Sequence, residues 1–426
     1  MNNSPYKKTI LDNGLRVITY NMPNMQSAAL GIWIKVGGRY ESAANKGISH
    51  YLEHLLFKGS REYSCQEVKE AVEGVGGSLN GFTSEETTCY LAKLPYRHLE
   101  RILAVLSDMV LHPLLQAEDI EKERTVILEE IKMYKDLPQY YVHDLLDELL
   151  WPSQPLGLPV IGLADSVKQI RREDLITFKK NYYVAPNIVI SIAGLLNHDK
   201  LLRRIKQIFL GLKEKNTSSF SKAKQVQSKA QLKLLPKDTE QTHLALGFHS
   251  LKREHPLKHA LGLLHVILGA NMSSRLFQEI REKRGLAYEI GTQVKRFYDT
   301  GAFIVHAGID NLKVEQALKL ILAELKKVKF KLVEEDELRR AKEFYLGQLT
   351  LALEDTLDHM LWIGEPTLIL DKTYTLDQIT RDVVRLTRKD VLAVAAGIFK
   401  EQNLNLALIG PLEDKKENIC SNLRFD

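Results

Sequence analysis

Short apolar runs open the chain and then give way to apolar positions three or four apart, which predicts strands followed by helices. Residues 9–11 and 15–20 are strand-like and flank Asp12-Asn13-Gly14, where Asn-Gly tolerates the positive φ of a tight hairpin turn. A second strand run covers 28–36 and stops at Gly37-Gly38. Residues 46–57 have helical spacing, and 66–75 read as an amphipathic helix ended by Gly76-Gly77. The stretch 78–94, rich in Thr, Tyr and Phe, reads as extended. Long helical patterns follow at about 97–111, 117–135 and 139–150, and 189–193 is a short buried strand closed by Gly194.

Periodicity then lapses. Residues 214–230 are polar and lack a repeat, and read as a linker between an N-terminal part, 1–213, and a C-terminal part, 231–426. The two parts look like copies. Asp174 to Asn187 and Asp390 to Asn403 both span 13 positions, and Asn187 to Gly194 and Asn403 to Gly410 both span 7. Each reads as helix, polar turn, buried strand and glycine stop, and two matched spacings make a duplication the simplest account.

Composition narrows the class. The 426 residues are 44% hydrophobic and 27% charged, as in a globular protein with several cores. The 59 basic and 54 acidic residues are interspersed, with no basic arm, so nucleic-acid binding is not expected. Cys65, Cys89 and Cys420 form no Cys-x-x-Cys pair, which fits a reducing compartment. No apolar run reaches the roughly 20 residues that span a bilayer, and the first residues resemble neither a signal nor a transit peptide. The expectation is a cytoplasmic protein without membrane contact, with a mature organellar matrix protein as the alternative.

One short segment carries chemistry. In His50-Tyr51-Leu52-Glu53-His54 the histidines lie four apart, on one helical face. Two neutral imidazoles suit zinc, and a neighbouring carboxylate that is not a ligand can take a proton from a zinc-bound water. This is the inverted order of His-Glu-x-x-His. With 13 histidines in the chain, a chance match is on the order of a few per cent, so a third ligand has to be found. The pattern at 121–131 offers Glu123 and Glu130, two helical turns apart on one face, with Glu129 turned away by about 100°. A solvated acidic face is the competing reading of those residues. Aligning His54 with His265 in the second copy puts Leu264 opposite Glu53 and Leu261 opposite His50, so that helix has no ligand set.

Residues 47–59, the segment Gly76-Gly77-Ser78-Leu79-Asn80-Gly81-Phe82-Thr83-Ser84 and the Glu123–Glu130 stretch together resemble the pitrilysin superfamily of metallopeptidases. The likeness is greatest to its half-length branch, which includes mitochondrial processing peptidase subunits and their bacterial relatives. The resemblance implies an α+β fold of two tandem homologous halves, each an antiparallel sheet with helices packed on one face. It implies one Zn2+ per chain held by His50, His54 and Glu130, with Glu53 as general base and Glu123 as the acid standing behind the ligands. The run Ser273 to Tyr288 resembles the family's substrate-positioning pair, which falls here on Arg281 and Tyr288. Residues 78–91 match an edge strand onto which substrate adds, with Asn80 and Phe82 as substrate-binding residues. Asp144 matches one of an acidic pair that reads a substrate arginine, but Tyr140 stands at the other position, which puts a presequence-arginine preference in doubt.

The function this implies is zinc-dependent endopeptidase action on peptides or unfolded polypeptide inside a closed chamber. A homodimer is expected, since both feature sets occur in one chain, with a heterodimer formed with a diverged paralogue as the alternative. The rival function is a non-catalytic structural or peptide-binding subunit of the same fold.

Overall fold

A computed structural model describes residues 5–213, 215, 219–421 and 423–425. Its first turn follows from Asn13-Gly14: Gly14 sits at φ +86° and joins β1 (Tyr6–Ile10) to β2 (Arg16–Asn21) as an antiparallel hairpin. Then come β3 (Ser27–Ile34), α1 (Ile48–Leu56), α2 (Cys65–Glu73), β4 (Ser78–Thr83), β5 (Thr88–Pro95), α3 (Leu99–Leu111), α4 (Ala117–Asp136) and α5 (Pro138–Leu150). After α6 (Ala164–Gln169), α7 (Arg172–Tyr182), β6 (Ile188–Gly194) and α8 (His198–Ile208), the described residues up to 230 hold no further helix or strand. Of the linker reading, Glu214 and residues 216–218 lie outside the described residues. The second copy supplies β7 (Gln231–Pro236), β8 (Gln241–His249), α9 (Lys258–Gly269), β9 (Ala287–Arg296), β10 (Gly301–Asp310), α10 (Val314–Phe330) and α11 (Glu335–Ala352). It closes with α12 (Thr356–Leu370), α13 (Leu376–Arg385), α14 (Arg388–Ile398), β11 (Asn405–Gly410) and α15 (Lys416–Ser421).

These elements form two units, each gathered from three stretches of chain. The first unit takes Met1–Ile131, Leu158–Ser221 and Leu349–Leu376. Its sheet has the order β1-β2-β6-β3-β5-β4, antiparallel throughout except for the parallel β2–β6 pair. Strand alternation sends Leu30, Ile32, Tyr90, Ala92 and Ile190 to one face, where they meet Leu52 and Leu55 of α1, Val68 of α2 and Leu103 and Leu106 of α3 in one buried cluster. Trp33 and Val189 point the other way, onto Met360 and Ile363 of α12. Trp33 Nε1 donates to Ser191 Oγ at 2.8 Å, so its buried polar atom is satisfied.

The second unit takes Lys132–Gly157, Lys222–Gln348 and Asp377–Asp426. Its sheet runs β7-β11-β8-β10-β9, with one parallel pair, β11–β7. Phe248 and Phe303 pack on Phe399 at the end of α14. Ala245, Ile304, Ala407 and Ile409 occupy the opposite parity and meet Leu145, Leu146, Leu150 and Trp151 of α5 and the residue after it. Each sheet therefore has its helical layer on one face and a single added helix on the other, α12 in the first unit and α5 in the second.

The copied segments fold alike. α7 and α14 are both 11 residues, each leads through a short 3-10 turn ending at Asn187 or Asn403, and β6 and β11 end on Gly194 and Gly410. Among the described residues no helix is long and apolar enough to cross a membrane.

Candidate metal centre

The helix that carries the histidines begins at a position only glycine fits. Gly47 has φ +96°, and a Cβ there would lie 2.8 Å from the Cα of Gly162. The first amides of a helix have no partner inside it. Here the Glu41 carboxylate accepts from Gly47 N at 2.9 Å and from Ser49 N at 2.8 Å. Lys46 Nζ lies 3.4 Å from Glu41 and donates to Gly38 O at 2.7 Å, so a buried ion pair fixes the start of α1. Ile48, Tyr51, Leu52, Leu55 and Leu56 face the core, which leaves His50, Glu53 and His54 turned toward β4 and α4.

α4 supplies the facing acids. Glu130 Oε2 stands 3.9 Å from His50 Nε2 and 3.8 Å from His54 Nε2. Among the described residues, His50, His54 and Glu130 alone bring three such ligand atoms within 4.8 Å of one another. A tetrahedral zinc ion with legs of about 2.0–2.1 Å needs ligand atoms roughly 3.3 Å apart, and Glu130 stands within about 0.6 Å of that separation from each imidazole. Glu123, two helical turns back on the same face, accepts from His54 Nδ1 at 3.0 Å and pairs with Lys58 Nζ at 2.6 Å. With the Nδ1 proton held there, the His54 Nε2 lone pair faces the cluster. Burial, with His54 beside it, pushes the His50 imidazole down to about 3, so it is neutral at physiological pH. Burial also raises the Glu130 carboxyl. A neutral imidazole and partly buried acceptors converging on one point fit a divalent cation.

Glu53 stands beside this cluster without joining it. It is buried, and burial lifts its carboxyl above the usual range, opposed by a hydrogen bond from Thr83. Thr83 Oγ1 donates to Glu53 Oε2 at 2.9 Å, and a Cβ on Gly81 would lie 3.0 Å from Glu53 Oε1. Gly81 thus lets the carboxylate sit directly against β4, the outermost strand of its sheet. Asn80 Oδ1 accepts from Gly81 N at 2.8 Å, and Phe82 packs edge-on to Trp33 at 5.6 Å.

The remaining sequence-derived residues belong to the second unit. Phe277–Glu282 wind as a π-helical turn, and Gly285 at φ +57° turns the chain into β9. The Arg281 guanidinium lies 4.8 Å from the Phe277 ring centre and 5.4 Å from that of Tyr288, which is 75% exposed. Asp144 and Tyr140 line a cavity of about 550 Å³ with His143, His243, Glu289 and His306. On α9, Leu261 and Leu264 are fully buried and His265 Nδ1 is 2.7 Å from Thr292 Oγ1, so the equivalent helix is committed to packing.

Sequence reasoning did not single out Glu41, Lys46, Lys58 or Thr83. Glu41 lies nine positions before His50 in a stretch without periodicity, and Thr83 looks like any strand threonine. Lys46 and Lys58 flank α1 in sequence, but only the folded path brings Glu41 to Lys46, Glu123 to Lys58 and Thr83 to Glu53.

The family model described as Insulinase (Peptidase family M16) matches residues 16–163, and the one described as Peptidase M16 inactive domain matches 169–345. An uncharacterized zinc protease of Streptomyces coelicolor is 37% identical over 420 residues, covering 96% of this chain and 90% of its own. An uncharacterized zinc protease of Bacillus subtilis is 35% identical over 405 residues, covering 95% and 98%. The crystal structure of a protease from Helicobacter pylori superposes with a TM-score of 0.89 at 25% identity, over 95% of this chain and 99% of that one.

Proposed function

This chain belongs to peptidase family M16, in the half-length branch of the pitrilysin superfamily, and from that premise we propose that it is a zinc-dependent endopeptidase acting on peptides or unfolded polypeptide segments. The observation that carries the reading is the convergence of His50, His54 and Glu130 beside a carboxylate, Glu53, that is not one of the three. Those three would hold one zinc per chain, which when bound supplies Lewis acidity to the scissile carbonyl and to a water. Glu53 takes the proton of the attacking water as the C–O bond forms. It returns that proton to the amine nitrogen as the C–N bond breaks. Thr83 holds one oxygen of Glu53 so that the carboxylate keeps one orientation. β4 offers its free edge to an extended peptide, with main-chain hydrogen bonds accepting many sequences. Arg281 and Tyr288 position substrate and donate to the developing oxyanion.

The direct test is cleavage of a mixed peptide library. Hydrolysis that a chelator abolishes and added zinc restores is expected. Zinc-replete protein that cleaves nothing, or cleavage indifferent to chelator, would refute the reading.

Glu123 supports the site through His54. Glu123→Gln is expected to weaken zinc binding about 10–100-fold, measured by competition with a fluorescent chelator. Unchanged affinity would show that the 3.0 Å contact does not support the ligand.

The proposal extends to assembly and setting. Two copies close around a chamber, with Arg281 and Tyr288 of one serving the metal centre of the other. Mixing Arg281→Ala chains with Glu53→Gln chains is then expected to recover about a quarter of wild-type activity, the share that random pairing gives to intact sites. No recovery in mixed dimers would confine each site to one chain. The setting is cytoplasmic, where Cys65, Cys89 and Cys420 remain free thiols.

A further inference from the structure

The edge strand leads somewhere the metal centre does not use. On β4, Gly81 and Thr83 face Glu53, while Ser78, on the other parity, is the cross-strand neighbour of Lys93 on β5. Just beyond Ser78 an open cavity of about 560 Å³ is lined by Gln26, Gly76, Gly77, Ser78, Lys93 and Arg97, among others.

Three features give this cavity a chemistry. Its charged lining residues are both cations, Lys93 and Arg97. Lys93 is paired with Asp355, but Arg97 is exposed and only its Nε is engaged, at 3.0 Å to His98 Nε2. The two terminal guanidinium nitrogens have no hydrogen-bond partner among the described residues, which leaves the flat fork that suits a carboxylate. The floor is backbone: Gly76 has φ +79°, and a Cβ on Gly77 would lie 2.9 Å from both Lys93 O and Val72 O. Both positions therefore line the cavity with backbone alone, without a side chain.

The cavity also lies at a defined distance. Gly81 to Ser78 is three strand residues, about 10 Å. A peptide adding to β4 in the antiparallel sense, the more stable per residue, runs from Thr83 toward Ser78 in its own N-to-C direction. With its scissile bond beside Glu53, residues three to five positions past that bond reach the cavity.

We propose that this cavity is a carboxylate-binding subsite that reads the substrate three to five residues beyond the cleaved bond. It takes a chain-terminal carboxylate or the side chain of Asp or Glu, and it favours substrates that end or carry an acid at that distance. This rests on the peptidase reading above.

The test uses the full-length protein and a peptide that it cleaves, cut back so that its C-terminus falls two to eight residues after the bond. Each length is made as free acid, as amide, and as amide with Glu or with Lys at the fourth position. At three to five residues the free acid should show a KM about fivefold below the amide, the scale of one exposed ion pair, and no difference at seven or eight. Glu in the amidated peptide should restore the lower KM if side chains are read, and should leave it high if only chain ends are. Arg97→Glu should reverse the preference toward Lys, with melting temperature and zinc content confirming that the variant is folded. Acid and amide handled alike at every length, or an acid preference that survives Arg97→Glu, would overturn the proposal. Anisotropy with labelled peptides and the Glu53→Gln protein reads the same preference without turnover. A carboxylate preference in binding together with cleavage of no peptide would contradict the peptidase reading alone.

Discussion

Exchange of Glu53 for Gln is expected to lower kcat by at least about 10³-fold while leaving zinc content at the wild-type level. Gln fills the same volume and keeps an oxygen to accept from Thr83, so the packing against Gly81 is preserved. What it loses is the ability to take and return a proton. The histidines and Glu130 lie outside the change, which is why metal and turnover should separate. Turnover within tenfold of wild type would place the base elsewhere. Loss of zinc together with turnover would make Glu53 a ligand rather than a base.

The second large effect lies at the start of α1. Glu41→Ala is expected to lower the stability of the first unit by about 3–5 kcal/mol, because it removes one partner of a buried ion pair and two amide acceptors at once. Lys46 is 1% exposed and would lose the Glu41 carboxylate, and Gly47 N and Ser49 N would lose their acceptor. The melting temperature, measured with chelator present so that metal binding does not contribute, should fall by about 10 °C. The paired change Glu41→Leu with Lys46→Met should recover part of that loss, since neither charge of this pair is then left buried while the two amides still lack their acceptor. A shift below about 2 °C for Glu41→Ala would show that the pair does not anchor the helix.

Local pattern carried much of the fold. The Asn13-Gly14 hairpin, α1, α2 and the paired segments α7–β6 and α14–β11 follow from turn chemistry, periodicity and repeated spacing. The placement of α5 and α12 did not. α5 follows α4, the helix that carries Glu123 and Glu130, in sequence and packs on the second sheet, while α12 lies deep in the second copy and packs on the first. Nothing in an apolar helix names the sheet it will cover, because that is settled by long-range complementarity such as Met360 and Ile363 against Trp33. The parallel β2–β6 and β11–β7 pairs are likewise matters of topology rather than composition.

The site divides in the same way. The helical spacing of His50 and His54 was legible, and so was the shared face of Glu123 and Glu130. Which of those two acids faces the imidazoles was not decided by spacing. In the fold, Glu130 approaches both Nε2 atoms and Glu123 stands behind His54 at Nδ1. Glu41, Lys46 and Thr83 were invisible because they act through contacts between segments. They are the residues that hold α1 and Glu53 in place.

Zinc binding by His50, His54 and Glu130 is tested by metal content, read by mass spectrometry on protein purified without added metal, beside Glu130→Gln and His54→Ala. About one zinc per wild-type chain is expected, with a marked loss of both zinc and peptide cleavage in each variant. Wild-type protein that holds no zinc and still cleaves peptides at full rate, or variants that keep their zinc, would contradict it.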